Sequence, residues 1–107
     1  MNRGDVWWVT FDPPIGGEIR KKRPAIIVSN NAANKYLNRV QVVPVTSNTD
    51  RIFLSEAYVT VAGKKGKAMA DQLATVSKQR LSKRIGSVSD NEINMIAEAI
   101  KTQLDLF

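Results

Sequence analysis

Arg23 is the residue best placed to do chemistry in this 107-residue chain. It closes a run of four cations, Arg20-Lys21-Lys22-Arg23, and stands directly before Pro24 and the apolar run Ala25-Ile26-Ile27-Val28. That run is short, β-branched and bounded by breakers, which predicts a buried strand. Pro24 fits the start of such a strand because it has no N–H to give a ladder. Arg23 is thus held where a loop meets rigid sheet, and a positioned guanidinium makes paired hydrogen bonds to phosphate oxygens. On its own, the same run also fits a solvated basic loop. A second group of polar side chains, Thr46-Ser47-Asn48-Thr49, follows the apolar run Val40 to Val45. These residues fit turn chemistry, or a set of neutral donors aimed at a phosphate or base. Glu18 is the carboxylate nearest Arg23 in sequence and sits beside Gly16-Gly17. Taken alone, it reads as one half of a surface ion pair.

Composition narrows the chemistry. The net charge of +6 favours a polyanionic partner. From Ser89 onward there are four acids and one base, so the +6 is the balance of +9 before Ser89 and −3 after it. The basic part is expected to carry the working surface, and the C-terminal part a structural element. The chain has no cysteine and no histidine. Thiolate chemistry, disulfides and imidazole acid–base catalysis are excluded. Any metal would need an all-oxygen site, and no dense Asp/Glu cluster offers one, so neither metal nor cofactor is expected. There is no long apolar span and no basic-then-apolar leader, which predicts a soluble, cytoplasmic protein without membrane contact.

The positioning elements follow in order. Val6 to Phe11 reads as a first strand, stopped by Asp12-Pro13-Pro14. Ile15 to Lys22 is a Gly-centred loop. After the strand at Ala25, Asn30 to Asn34 reads as a polar connection. Val40 to Val45 is a third strand, where Pro44 suggests an edge or a bulge. Ala57 to Val61 alternates as a fourth. Gly63-Lys64-Lys65-Gly66-Lys67 reads as a solvated basic turn, followed by a strand from Lys67 to Ala70. Ser77 to Leu81 suggests a turn or one helical turn, and Ile85 to Val88 a last short strand. Ser89-Asp90-Asn91-Glu92 has the spacing of a capping box. Ile93, Ile96, Ala97, Ile100 and Leu104 then fall on one helical face. The pattern predicts one domain, residues 1–107: a mainly β, strongly curved antiparallel sheet or barrel with a C-terminal helix over one side.

Read together, Arg3-Gly4-Asp5-Val6-Trp7-Trp8-Val9, Phe11-Asp12-Pro13, Gly16-Gly17-Glu18, Arg23-Pro24-Ala25-Ile26-Ile27-Val28-Ser29-Asn30, Val42-Val43-Pro44-Val45-Thr46-Ser47, Asp71-Gln72, Arg80-Leu81 and Ile85-Gly86 resemble the MazF/PemK toxins in order and spacing. Gly17 stands where the family often has Ser, and Ala74 where a charged residue is common. The resemblance implies a compact SH3-like barrel of the PemK/CcdB type and a homodimer. It implies the toxin of a type II toxin–antitoxin pair, which cuts single-stranded RNA at short sequences without a metal and leaves 2′,3′-cyclic phosphate and 5′-hydroxyl ends. It also implies a cognate antitoxin, MazE-like, whose acidic C-terminal tail blocks the RNA site. The family's working residues map to Arg23 and Thr46, with Glu18 also implicated.

For such cleavage the 2′-OH is the nucleophile. Arg23 suits stabilisation of phosphorane charge, Thr46 and Ser47 suit donor bonds to the phosphate, and Glu18 is the candidate base, although a neighbouring cation weakens a carboxylate in that role. Arg20, Lys21, Lys22, Ser47 and Asn30 are the RNA-binding candidates. Trp7, Trp8 and Tyr36 could stack on bases if exposed, but Trp7 and Trp8 alternate across a strand, which places one in the core and the other at a dimer face or rim. Two other readings stay open: a non-catalytic nucleic-acid-binding barrel, and a CcdB-type topoisomerase poison.

Overall fold

A computed structural model describes residues 1–11 and 22–107. Its strands are β1 (Asp5–Thr10), β2 (Lys22–Ile27), β3 (Arg39–Thr46), β4 (Glu56–Val61), β5 (Lys64–Met69), β6 (Ala74–Ser77) and β7 (Leu81–Ser87). Helix α1 (Asn31–Tyr36) joins β2 to β3, and α2 (Asp90–Leu104) ends the chain. All pairings are antiparallel, in the order β4-β5-β3-β2-β1-β7, with β6 added to β3. The sheet curls into a half-barrel with α2 over one side, matching the mainly β class expected.

β3 is the hub. β2 lies along one edge, while β6 takes Arg39 to Val42 on the other edge and β5 takes Val45 and Thr46. Two cores flank it. Ile26, Val43 and Val45 face one, which α2 covers through Ile96; Ala25, Ile27, Val40 and Val42 face the other. Burial on both faces explains the unbroken apolar runs in β2 and β3, where a half-exposed strand would alternate.

Pro44 stands in this central strand, not at an edge. The N–H of Val28 donates to the Gln41 carbonyl at 2.9 Å, so Gln41 points its backbone groups at β2. Alternation directs those of Pro44 to the opposite side, into the gap where β3 exchanges β6 for β5. The missing N–H therefore breaks no ladder bond.

Further elements differ from the expectation: Ala74–Ser77 is a strand, and the last strand begins at Leu81 where Ile85 was expected. Asn30 to Asn34 is not merely a connection. Asn30 caps α1 by accepting the Ala33 N–H at 2.8 Å, and Asn34 is buried with its amide on the Ser29 carbonyl at 2.9 Å. The basic turn is only Ala62-Gly63, and Lys64 already belongs to β5. In α2, Ile96 and Ala99 are the buried residues and Leu104 is exposed, so the packed face ends a turn early. The capping box forms as expected: Ser89 Oγ accepts the Glu92 N–H at 3.1 Å, and Glu92 Oε1 accepts the Ser89 N–H at 2.9 Å.

Candidate active site

The cleft arises where β2 and β3 separate. Their pairing ends at Ala25 opposite Pro44. Alternation from Val28 points the backbone of Pro24 toward β3, where proline has no hydrogen to offer. Past this point the strands open around a cleft of about 790 Å³. Arg23 and Thr46 lie just past this last pair, on either side of the opening. Both line the cleft, with Lys22, Pro24, Val45 and Ser47 beside them. Trp8, on β1 opposite Pro24, forms part of the wall and is 38% exposed. Trp7 points the other way, against the second core. The pair thus divides between core and rim.

Thr46 is half-buried, and its Oγ1 accepts the Asn48 N–H at 3.3 Å. With that lone pair engaged, the hydroxyl proton is left to donate into the cleft. Gly66 fixes how closely β5 approaches beneath it. A Cβ at Gly66 would lie 2.8 Å from Val45 Cγ1 and 2.9 Å from the Thr46 carbonyl oxygen. The loop after Thr46 is tied down by Tyr58, whose hydroxyl donates to the Thr49 carbonyl at 3.2 Å, and by the buried Lys67, whose ammonium donates to the Arg51 carbonyl at 2.5 Å and pairs with Glu56 at 3.1 Å.

The lining is cationic. Lys22 and Arg23 stand on one side, Lys64 and Lys65 on the other, with no acid among the described lining residues. The three ion pairs among the described residues, Lys67–Glu56, Arg84–Asp5 and Lys101–Glu98, involve none of these four. A smaller cleft of about 400 Å³ lies between Phe11, Pro44, Gln72 and Thr75, and Arg23 lines it as well. Arg23 therefore borders both spaces.

Of the expected site residues, Arg23, Thr46, Lys22 and Ser47 come together. Glu18, Arg20 and Lys21 lie outside the described residues. Asn30 is engaged as the α1 cap and does not line the cleft. Tyr36 is exposed, but elsewhere. Lys64 and Lys65 were missed because their wall is built by the β5–β3 pairing, which local pattern does not reveal. Arg80 has a structural place: its guanidinium donates to the carbonyls of Thr10 at 3.1 Å and Phe11 at 3.0 Å, fixing the exit of β1.

Residues 2–104 match the family described as PemK-like, MazF-like toxin of type II toxin-antitoxin system. The chain belongs to this toxin family. It is 39% identical to endoribonuclease MazF9 of Mycobacterium tuberculosis, over all of this chain and 98% of that protein. An endoribonuclease from a mycobacterial species, solved in complex with its cognate antitoxin, superposes with a TM-score of 0.82 at 29% identity, over all of this chain and 97% of the other. MazF in a MazE–MazF structure from Deinococcus radiodurans has the same fold, with a TM-score of 0.83 at 22% identity, over all of this chain and 97% of that one.

Proposed function

We propose that this toxin is an endoribonuclease that cuts single-stranded RNA in the Arg23/Thr46 cleft by attack of the ribose 2′-OH. The observation that carries the reading is that Arg23 and Thr46 line one cleft at the break in the β2–β3 ladder, with Lys22, Lys64 and Lys65 around them. In the reaction the 2′-oxygen forms a bond to phosphorus and the bond to the 5′-oxygen breaks. The 2′-OH proton goes to a base, and a proton is delivered to the departing oxygen. The products are a 2′,3′-cyclic phosphate and a 5′-hydroxyl.

Arg23 neutralises charge as it builds on the phosphorane oxygens, and Thr46 donates its hydroxyl to one of them. Ser47, exposed beside Thr46, offers a second neutral donor. Glu18 takes the proton-accepting role in this proposal. With neither cysteine nor histidine in the chain, these groups carry the acid–base and electrostatic work, and in this proposal they do so without a metal or cofactor. A homodimer and a cognate antitoxin with an acidic tail complete the proposal; the mycobacterial relative was solved with its antitoxin. No helix among the described residues is long and apolar enough to cross a membrane, and a cytoplasmic site of action fits RNA as target.

The test is the end chemistry of mixed-sequence single-stranded RNA incubated with the protein in EDTA. Cyclic phosphate and 5′-hydroxyl ends, absent with Arg23→Ala, are expected. RNA left intact across many sequences would return the chain to the binding-module or topoisomerase readings. Cleavage that requires added magnesium would overturn the metal-free chemistry.

A further inference from the structure

The tip of the β4–β5 hairpin belongs to the working surface. Its three lysines do different things. Lys67 is buried and neutralised by Glu56 at 3.1 Å, while Lys64 and Lys65 are exposed and line the cleft opposite Lys22 and Arg23. Their position is fixed. The two-residue turn holds Ala62 at φ 50° and Gly63 at φ 79°, and the Lys65 ammonium lies 4.3 Å from the centre of the Tyr58 ring.

The register gives the spacing. Thr46 pairs with Lys67, and Lys65 and Lys64 stand two and three residues along β5 from that point. At the rise of a strand, they lie about 7–10 Å beyond Thr46. A charge at that distance meets a different phosphate from the one held between Arg23 and Thr46. We propose that Lys64 and Lys65 form a second phosphate grip, which holds the RNA backbone next to the scissile phosphate. This rests on the reading of the cleft as the RNA site. The grip is electrostatic and independent of base sequence, because phosphate contacts position a strand and carry no sequence information.

Each phosphate contact to a single strand contributes about 0.7 to the slope of log affinity against log salt. The probe is a cleavable oligoribonucleotide carrying deoxyribose 5′ to the scissile phosphate, so that it binds and is not cut. With the double variant Lys64→Gln/Lys65→Gln, which empties the one gripped phosphate site, the slope should fall by about 0.7. The loss in cleavage of the all-ribose substrate should appear in KM more than in kcat, with cleavage sites unchanged. Lys64→Arg/Lys65→Arg should keep the parent slope, and so should Lys101→Gln on α2, remote from the cleft. An unchanged slope in the glutamine variant, while Arg23-dependent cutting persists, would overturn the grip alone. A parent protein that neither binds the probe nor cuts RNA would overturn the grip together with the RNA reading.

Discussion

The start of α2 and the mouth of the cleft are both polar, yet they use their polar groups in opposite ways. Around Ser89 the groups close on each other. Glu92 accepts the Ser89 N–H at 2.9 Å and the Thr60 N–H at 2.6 Å, which ties the helix to edge strand β4. In the cleft, Lys22, Arg23, Lys64 and Lys65 face open space, outside the three ion pairs of the described residues. Like charge gathered around a concavity repels itself, so its use lies in an anionic ligand. Polar groups satisfied within the fold hold it together; those left facing a cavity mark where it acts.

The sharpest way to break this contrast is Arg23→Ala. Cleavage should fall by about 10²–10³-fold in kcat. Stability should stay within about 0.5 kcal/mol, as expected for a half-exposed charge. Thermal melts beside single-turnover assays separate the two effects. A large drop in melting temperature would show that Arg23 supports the fold and that the contrast is false.

Gly66→Ala should damage both regions at once. The added methyl meets the Thr46 backbone oxygen at 2.9 Å, and backbone cannot swing aside as a long side chain can. A cost of about 1–3 kcal/mol is expected, and the displaced Thr46 should lower kcat beyond the loss of folded protein. Denaturant unfolding combined with active-site titration checks both. A stable variant with unchanged kcat would mean that the position of Thr46 does not depend on the approach of β5.

How legible each region was in the sequence follows from how local it is. The capping box needs only Ser89 and Glu92, three residues apart, so pattern alone reveals it. The buried runs in β2 and β3 announce themselves because both faces are covered. Arg23 and Thr46 could be picked out as residues at strand ends, but their juxtaposition depends on the β2–β3 register and on Pro24. Lys64 and Lys65 looked like a solvated turn, since nothing near them in sequence says that β5 will pair with the end of β3. Helix α1 was missed because its six residues lack an apolar stripe; its Asn30 cap and the buried Asn34 amide hold it instead. Leu104 kept the helical period but lies beyond the reach of the sheet.

Glu92→Ala tests the satisfied side of the comparison. Removing the carboxylate takes an acceptor from both Ser89 and Thr60, for a loss of about 1 kcal/mol. Burial would raise the pKa of this group, but the N–H groups of Ser89 and Thr60 and the Ser89 hydroxyl outweigh it and lower the value. A folded-state pKa below the unfolded one gives stability that is present above the unfolded pKa and disappears as pH falls through the folded pKa. The parent should therefore lose more stability than Glu92→Ala on acidification below the ordinary glutamate range. Parallel pH profiles of urea midpoints would refute the link between α2 and β4 through this charge.

The smallest effect, from Ala62, asks whether the cleft tolerates strain or uses it. Ala62 holds φ 50° in a two-residue turn, and Gly63 follows at φ 79°. A left-handed alanine costs about 1–2 kcal/mol, and asparagine is favoured at this place in such turns. Ala62→Asn should therefore stabilise the chain by roughly 0.5–1 kcal/mol, a rise of a few degrees in melting temperature. Ala62 lines the cleft beside Lys64, so a polar side chain there also tests the wall. If RNA affinity and its salt slope hold while the melting temperature rises, the strain is only tolerated and the hairpin lysines act through charge alone. If affinity falls while stability rises, the strained turn sets the angle at which the lysines enter the cleft, and the boundary between structural and functional polar groups runs through the backbone of this hairpin.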